Sequence, residues 1–346
     1  MSIVIDFEDF YDALNETVRN ATTPFVVDPN TLACEIEPMA RPAALIVCLV
    51  LVAIFLLAIP GNLLVGWVIG TCKQALTPSD VFLFHLTIAD GLLALTLPFL
   101  AAALIRGWIF GDFMCKFLNL VIEANFYTSI LFLACISIDR YLVIVRSSES
   151  FKRRQRRCSW VLCGAVWVFG GALALPSLFS DVAKLESDPQ RAICTKNFDI
   201  GRSATWRLAT RVFLHVIGFL LPLVVMVICY GITIKRLLRT QGFQKHRAMK
   251  VIIVVVIAFL LCWTPYHVTM AIDTMLRADL VPFDCAARRS VTVALVITSS
   301  LALSHSCINP VLYAFVGEKF RRNMMLLFCR KVRLERFSRS TSRLQS

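Results

Sequence analysis

The chain has 346 residues, 58% of them hydrophobic and 17% charged, with a net charge of +13 and a mean hydropathy of +0.71. That composition excludes an ordinary water-soluble domain and marks a polytopic membrane protein. The excess of positive charge is then a topology signal and an attraction to an anionic leaflet, and no nucleic-acid partner is needed to account for it.

Residues 1–42 come first and carry Asp6, Glu8, Asp9, Asp12, Glu16, Asp28, Glu35 and Glu37 against Arg19 and Arg41. They lack the basic start and apolar stretch of a cleavable signal peptide, so the first span is expected to act as the insertion signal. The sequons Asn15-Glu16-Thr17 and Asn20-Ala21-Thr22 predict glycosylation at Asn15 and Asn20. An acidic segment bearing Phe7, Phe10 and Tyr11 suits a cationic folded partner that it would wrap, ordering as it binds.

A bilayer core needs about 20 apolar residues per helix, and such runs lie near 43–70, 79–105, 113–145, 158–180, 206–234, 250–276 and 288–315. Segments 71–78, 146–157, 235–250 and 317–346 hold 1, 6, 6 and 9 Lys or Arg. Segments 1–42, 103–112, 181–206 and 277–289 hold 2, 1, 4 and 3. The positive-inside rule therefore puts the N-terminus outside. The expected fold is all-α: an outer acidic tail over 1–42, a seven-helix bundle over 43–316, and an inner segment over 317–346. That last segment opens with an amphipathic surface helix over 317–328, where Lys319, Arg321 and Arg322 oppose Phe320, Met324 and Leu327. It goes on to Cys329, a palmitoylation candidate, and to Ser338, Ser340, Thr341, Ser342 and Ser346, candidate phosphorylation sites. The chain shows neither the internal duplication expected of a transporter nor a nucleophile, base and orienting group on one face, so no enzymatic activity is expected.

Polar groups inside the spans are costly and point to function. Asn62, Asp90, Ser129, His305, Ser306 and Asn309 should face the interior of the bundle. Asp90 has two readings: with Ser129 it holds an allosteric sodium ion, or it is a hydrogen-bonded staple between helices. Arg140, at the inner end of the third span, can snorkel or be held by Asp139 until a competing partner arrives. Pro98, Pro176, Pro222, Pro265 and Pro310 each remove a helical hydrogen bond and invite a kink. Trp263, in Cys262-Trp263-Thr264-Pro265, is either ordinary core packing or the relay that turns ligand contact into helix tilting. Cys34, Cys115, Cys194 and Cys285 lie on the oxidising outer side, where four cysteines allow three connectivities.

These motifs resemble the rhodopsin-like G-protein-coupled receptors over nearly the whole chain: Gly61-Asn62, Leu86 to Asp90, Asp139-Arg140-Tyr141, Trp167, Pro222 with Tyr230, Cys262 to Pro265, and Asn309-Pro310-Val311-Leu312-Tyr313. Trp108 to Gly111, Leu133 to Leu142 and the four outer cysteines resemble the chemokine receptors, CXC branch. His85, Asn197-Phe198, Cys262 to His267 and Phe315 to Phe320 look most like the type 3 receptor for interferon-inducible chemokines. Glu123 and Gln244 to Met249 look as much or more like the interleukin-8 receptors, which leaves the subtype open. The chain departs from the pattern at Leu100, Val143, Arg146 and Ser299.

The resemblance implies disulfides Cys115–Cys194 and Cys34–Cys285, sulfation of Tyr11 between Asp9 and Asp12, and a basic CXC chemokine as ligand. The tail would bind its body, and Glu123, Arg207, Arg211, Asp273 and Arg277 would meet its N-terminus. Arg207 and Arg211 share a helix face, whose direction the sequence leaves open. On the inner side the resemblance implies coupling to an inhibitory-class G protein through Asp139, Arg140, Tyr141, Tyr230, Lys250 and Tyr313, with Trp263, Pro265, Asn309 and Pro310 in the switch. It also implies that the phosphorylated tail serves arrestin recruitment. The implied setting is the plasma membrane, and the implied outcome is chemotaxis in an immune response. A receptor that binds and internalises chemokine without G-protein signalling is the alternative reading, and a dimer is left open.

Overall fold

The computed structural model describes residues 39–71, 76–145, 149–184, 191–196, 203–238, 243–277, 285–316, 322 and 324–325. Seven helical spans among them are long and apolar enough to cross a membrane. The first is Arg41–Gly70, the second Pro78–Arg106, the third Gly111–Val145 and the fourth Glu149–Ala174, which closes in a 3-10 turn at Leu175–Phe179. The fifth runs Ser203–His215, then a π turn at Val216–Leu220, then Leu221–Leu238. The sixth is Phe243–Arg277, and the seventh is Cys285–Leu303 followed by His305–Val316, with a turn at Ser304 between them. All seven expected spans are present and the fold is all-helical in the membrane. Of the expected surface helix over 317–328, only residues 322, 324 and 325 are described, and they are helical.

Lipid tails are as apolar as leucine, so burial of apolar surface does not by itself press these helices together; close packing and interhelical hydrogen bonds do. Accordingly Leu49, Leu63, Val161 and Val168 point outward, and the interior is built from Leu86, Ile130, Phe132, Leu133, Met226 and Phe259. Glycines admit the close approaches. A Cβ on Gly61 would come within 3.0 Å of Pro310 Cβ, where the first and seventh spans meet. One on Gly218 would lie 2.5 Å from Phe126 Cε1 and 2.7 Å from Tyr127 Cε1.

Local chemistry sets the ends and breaks. The second span starts at a reciprocal cap, with Asp80 N–H donating to Thr77 Oγ1 at 3.2 Å and Thr77 N–H to Asp80 Oδ2 at 2.9 Å, and Pro78 at the first helical position. It ends at Gly107, whose φ of 77° suits glycine and lets the loop close against Ala192. Pro60, which the expectations omitted, lies inside the first span, and the helix runs on through it. Pro176 sits in the closing 3-10 turn of the fourth helix, and Pro222 lies just after the π turn.

A two-stranded antiparallel hairpin, β1 Ser180–Lys184 and β2 Ala192–Lys196, pairs Val182 with Cys194. It was not anticipated, since strands of five residues are too short to show a clear alternation.

Replacing Gly218 by Ala forces a methyl into the Phe126 and Tyr127 rings and is expected to cost about 1–3 kcal/mol, read as a lowered Tm of the detergent-purified protein. An unchanged Tm would mean that the third and fifth spans do not approach so closely.

Candidate functional site

Three layers of polar side chains run through the bundle. In the outer layer, Arg211 of the fifth span reaches the sixth: its Nη2 lies 2.6 Å from Asp273 Oδ2 and its Nη1 donates to Thr274 Oγ1 at 2.9 Å. Asp273 is fully buried. The face shared by Arg207 and Arg211 therefore turns toward the sixth span at Arg211. One turn deeper, His215 and His267 oppose each other with their Nδ1 atoms 2.9 Å apart. Glu123 is half-buried on the third span. Arg207 and Arg277 lie within the fifth and sixth helices, but their side chains are outside the described atoms.

The outer rim is tied to the third span by the Cys115–Cys194 disulfide, with Cα atoms 5.6 Å apart. Asn119 donates to Cys194 Sγ at 3.0 Å and to the carbonyl of Cys115 at 2.9 Å. Lys116 bridges Asp112 at 2.7 Å and Asp181 at 2.9 Å, and Trp108 N–H donates to Ala192 O at 2.7 Å. Cys285 is also disulfide-bonded. Its expected partner Cys34 lies outside the described residues, as do Asp9, Tyr11, Asp12, Asn15 and Asn20.

At mid-membrane, Asp90 is fully buried, with Asn309, Ser129 and Asn125 as hydrogen-bond donors and His305 beside them. Asn309 Nδ2 reaches its Oδ2 at 2.8 Å. Its Oδ1 meets Ser129 Oγ at 3.3 Å, His305 Nε2 at 3.4 Å and Asn125 Nδ2 at 3.5 Å. Asn125 Oδ1 and Asn309 Oδ1 are buried oxygens with no hydrogen-bond partner among the described residues. A carboxylate, a hydroxyl and two amide oxygens make a donor set that suits a hard cation, and His305 Nε2 stands beside the same carboxylate oxygen. Asn62 ties the first span to the seventh, its Nδ2 donating to Ala58 O at 2.9 Å and to Ser306 O at 2.8 Å. Trp263 lies between these layers, its ring 4.5 Å from Phe126, 5.4 Å from His305 and 5.8 Å from Tyr266.

In the inner layer, buried Asp139 accepts from Ser79 Oγ of the second span, and Arg140 Nε stands 3.9 Å from Asp139 Oδ2. Ser137 Oγ donates to Tyr230 Oη at 2.7 Å, joining the third and fifth spans. Tyr141 is half-buried, Pro265 lies inside the sixth helix and Pro310 inside the second piece of the seventh. The Tyr313 and Lys250 side chains are outside the described atoms.

The sequence profile of the seven-transmembrane receptor (rhodopsin family) matches residues 61–313. The chain belongs to the rhodopsin family of seven-transmembrane receptors. Among its relatives, the human C-X-C chemokine receptor type 2 is 39% identical over 323 residues, 92% of this chain and 88% of the relative. The mouse C-X-C chemokine receptor type 1 is 42% identical over 296 residues, 85% of this chain and 82% of the relative. The human type 1 receptor is 40% identical over 272 residues, covering 79% and 77%. This rhodopsin-family chain is thus a multi-pass G-protein-coupled receptor related to the CXC chemokine receptors, and it is not an enzyme.

Sequence reasoning did not single out His215, Asn125, Asn119, Ser79 or Ser137 as site residues. His215 stands four residues after Arg211, so the helical period puts them on one face. Asn125 is likewise one turn before Ser129. Ser79, Ser137 and Asn119 had no such signal, because single hydroxyl or amide side chains near helix ends are common.

Removing one partner of the buried Arg211–Asp273 pair leaves a charge unmatched. Asp273→Asn is expected to destabilise by about 3 kcal/mol, and Arg211→Met with Asp273→Leu by much less. Thermal melting of the two variants checks this ordering.

Proposed function

We propose that this receptor binds CXC chemokines at the cell surface and signals through an inhibitory-class G protein to direct chemotaxis. The observation that carries the reading is the inner layer: Asp139 is buried and engaged by Ser79, while Arg140 is only loosely paired to it at 3.9 Å. An arginine held this way can be taken over by an inserted helix when the sixth span swings outward. Tyr230 and Tyr313 would steady the open form. The relatives' names supply the ligand class, and the acidic tail suits a basic protein.

In this reading residues 1–42 are an extracellular tail, 43–316 the bundle and 317–346 the inner helix and tail that recruits arrestin. Asp9, sulfated Tyr11 and Asp12 hold the chemokine body, and Glu123, Arg207, Arg211, Asp273 and Arg277 meet its N-terminus. Cys34 pairs with Cys285, drawing the tail toward the rim, and Asn15 and Asn20 carry glycans. Trp263, Pro265, Asn309, Pro310, Tyr141 and Tyr313 belong to the switch between states. The type 3 assignment rests on His85, Asn197-Phe198, Cys262 to His267 and Phe315 to Phe320 alone. Asp90, Ser129, Asn125 and Asn309 would hold an allosteric sodium ion, which would hold the second, third and seventh spans together. Agonist action is a population shift, so the chemokine must bind the active state more tightly than the inactive one.

Cells expressing the receptor, challenged with a panel of CXC chemokines, should show inhibition of cyclic AMP that Arg140→Ala abolishes while ligand binding persists. Binding and uptake without any cyclic AMP response would establish the scavenging alternative instead, and no binding across the panel would overturn the ligand class. Sodium should lower agonist affinity in the unmodified receptor, and Asp90→Asn should remove that sensitivity. Equal sodium dependence in both would leave Asp90 as a hydrogen-bonded staple.

A further inference from the structure

We propose that His215 and His267 form a transition-metal site that takes Cu2+ or Zn2+ and staples the outer half of the fifth span to the sixth. Their Nδ1 atoms stand 2.9 Å apart across 52 residues of sequence. Two metal–nitrogen bonds of about 2.0–2.1 Å subtend roughly 2.9 Å at a right angle and roughly 3.3 Å at a tetrahedral one. The observed separation therefore matches one edge of a square-planar or octahedral site, and a tetrahedral site needs only a few tenths of an ångström more.

The rings face each other with centroids 5.0 Å apart and planes at 62°. To converge their lone pairs they must turn about χ2, a torsion that is broad for histidine. Both Nε2 atoms are buried and have no hydrogen-bond partner among the described residues, so nothing pins either ring to one tautomer. Bridged by a hydrogen bond, one Nδ1 carries a proton and the other a lone pair. When that proton moves to the Nε2 of its own ring, both Nδ1 lone pairs face the metal, which exchanges water for imidazole with no net change in the protein's protons.

Charge and softness choose the ion. Arg211, a cationic side chain one turn from His215, is matched by Asp273 at 2.6 Å, so the pair presents no net positive charge to a dication. Phe219 stacks on His267 at 4.1 Å and Phe126 lies 5.5 Å away. Two nitrogens in an aromatic surround, with no oxygen ligand of their own, suit Cu2+ and Zn2+ and not Mg2+ or Ca2+. Among the described residues no group of three or more His, Cys, Asp or Glu side chains could hold a metal, so water or chloride completes the shell. Two protein ligands without an acceptor on either Nε2 make a weak, reversible site, fit for regulation and not for holding the fold together.

The test uses full-length receptor in detergent with the metal alone, and so stands apart from the chemokine reading. CuCl2 or ZnCl2 should raise Tm by several degrees where MgCl2 does not. The shift should vanish in His215→Gln and in His267→Gln and persist in His246→Gln. Electron paramagnetic resonance of the Cu2+-loaded unmodified receptor should show two equivalent nitrogen ligands, a readout that stands even if a variant fails to fold. No metal-specific shift, a shift undiminished in both variants, or a spectrum without two nitrogens would overturn the site.

Discussion

Asp90 is the constraint around which the bundle is arranged. A carboxylate at mid-membrane costs several kcal/mol unless it is matched, and here it meets Ser129 and Asn125 from the third span and His305 and Asn309 from the seventh. Those four side chains must converge on one point, which sets the rotation of both spans relative to the second. The seventh span reaches that point because it breaks at Ser304, one residue before His305, and carries Pro310 one residue after Asn309. The irregularities of that helix are thus part of how the carboxyl group is satisfied. His305 also lies against Trp263, so the polar centre and the aromatic layer above it share a side chain.

The two ends of the bundle are held differently. Outside, the disulfide, the Lys116 bridges and the Trp108 hydrogen bond fasten the hairpin to the second and third spans. The fifth and sixth spans meet there through Arg211 and His215, contacts that can exchange partners. Inside, Ser79 and Ser137 link the third span to the second and fifth through hydrogen bonds. The rim is thus covalently fixed on the side of the second and third spans and held by exchangeable polar contacts on the side of the fifth and sixth.

Much of this was legible in the amino-acid sequence because the membrane imposes a length and a charge bias that few other environments do. The seven spans, the polar residues that face inward and the Cys115–Cys194 pair all emerged, the last through the family resemblance. Pro60 was overlooked because the first span reads as one unbroken apolar run. The β hairpin was missed because short strands leave no periodic trace, and the π turn because a one-residue bulge does not alter hydropathy. The His215–His267 contact depends on where two helices cross, which no local pattern encodes.

The π turn at Val216–Leu220 adds one residue to a helical turn. Each residue advances a helix by about 100°, so everything outside the bulge is rotated by that amount relative to everything inside it. The fifth span is therefore two registers joined end to end: the outer one aims Arg211 and His215 at the sixth span, and the inner one aims Tyr230 at Ser137. Insertion or deletion of a single residue within the bulge would leave the inner end intact and turn the face that carries Arg211 and His215 away from the sixth span. The contacts between the outer halves of the fifth and sixth spans can thus change by a length change in an apolar segment, without any substitution among Arg211, His215 and their partners on the sixth span.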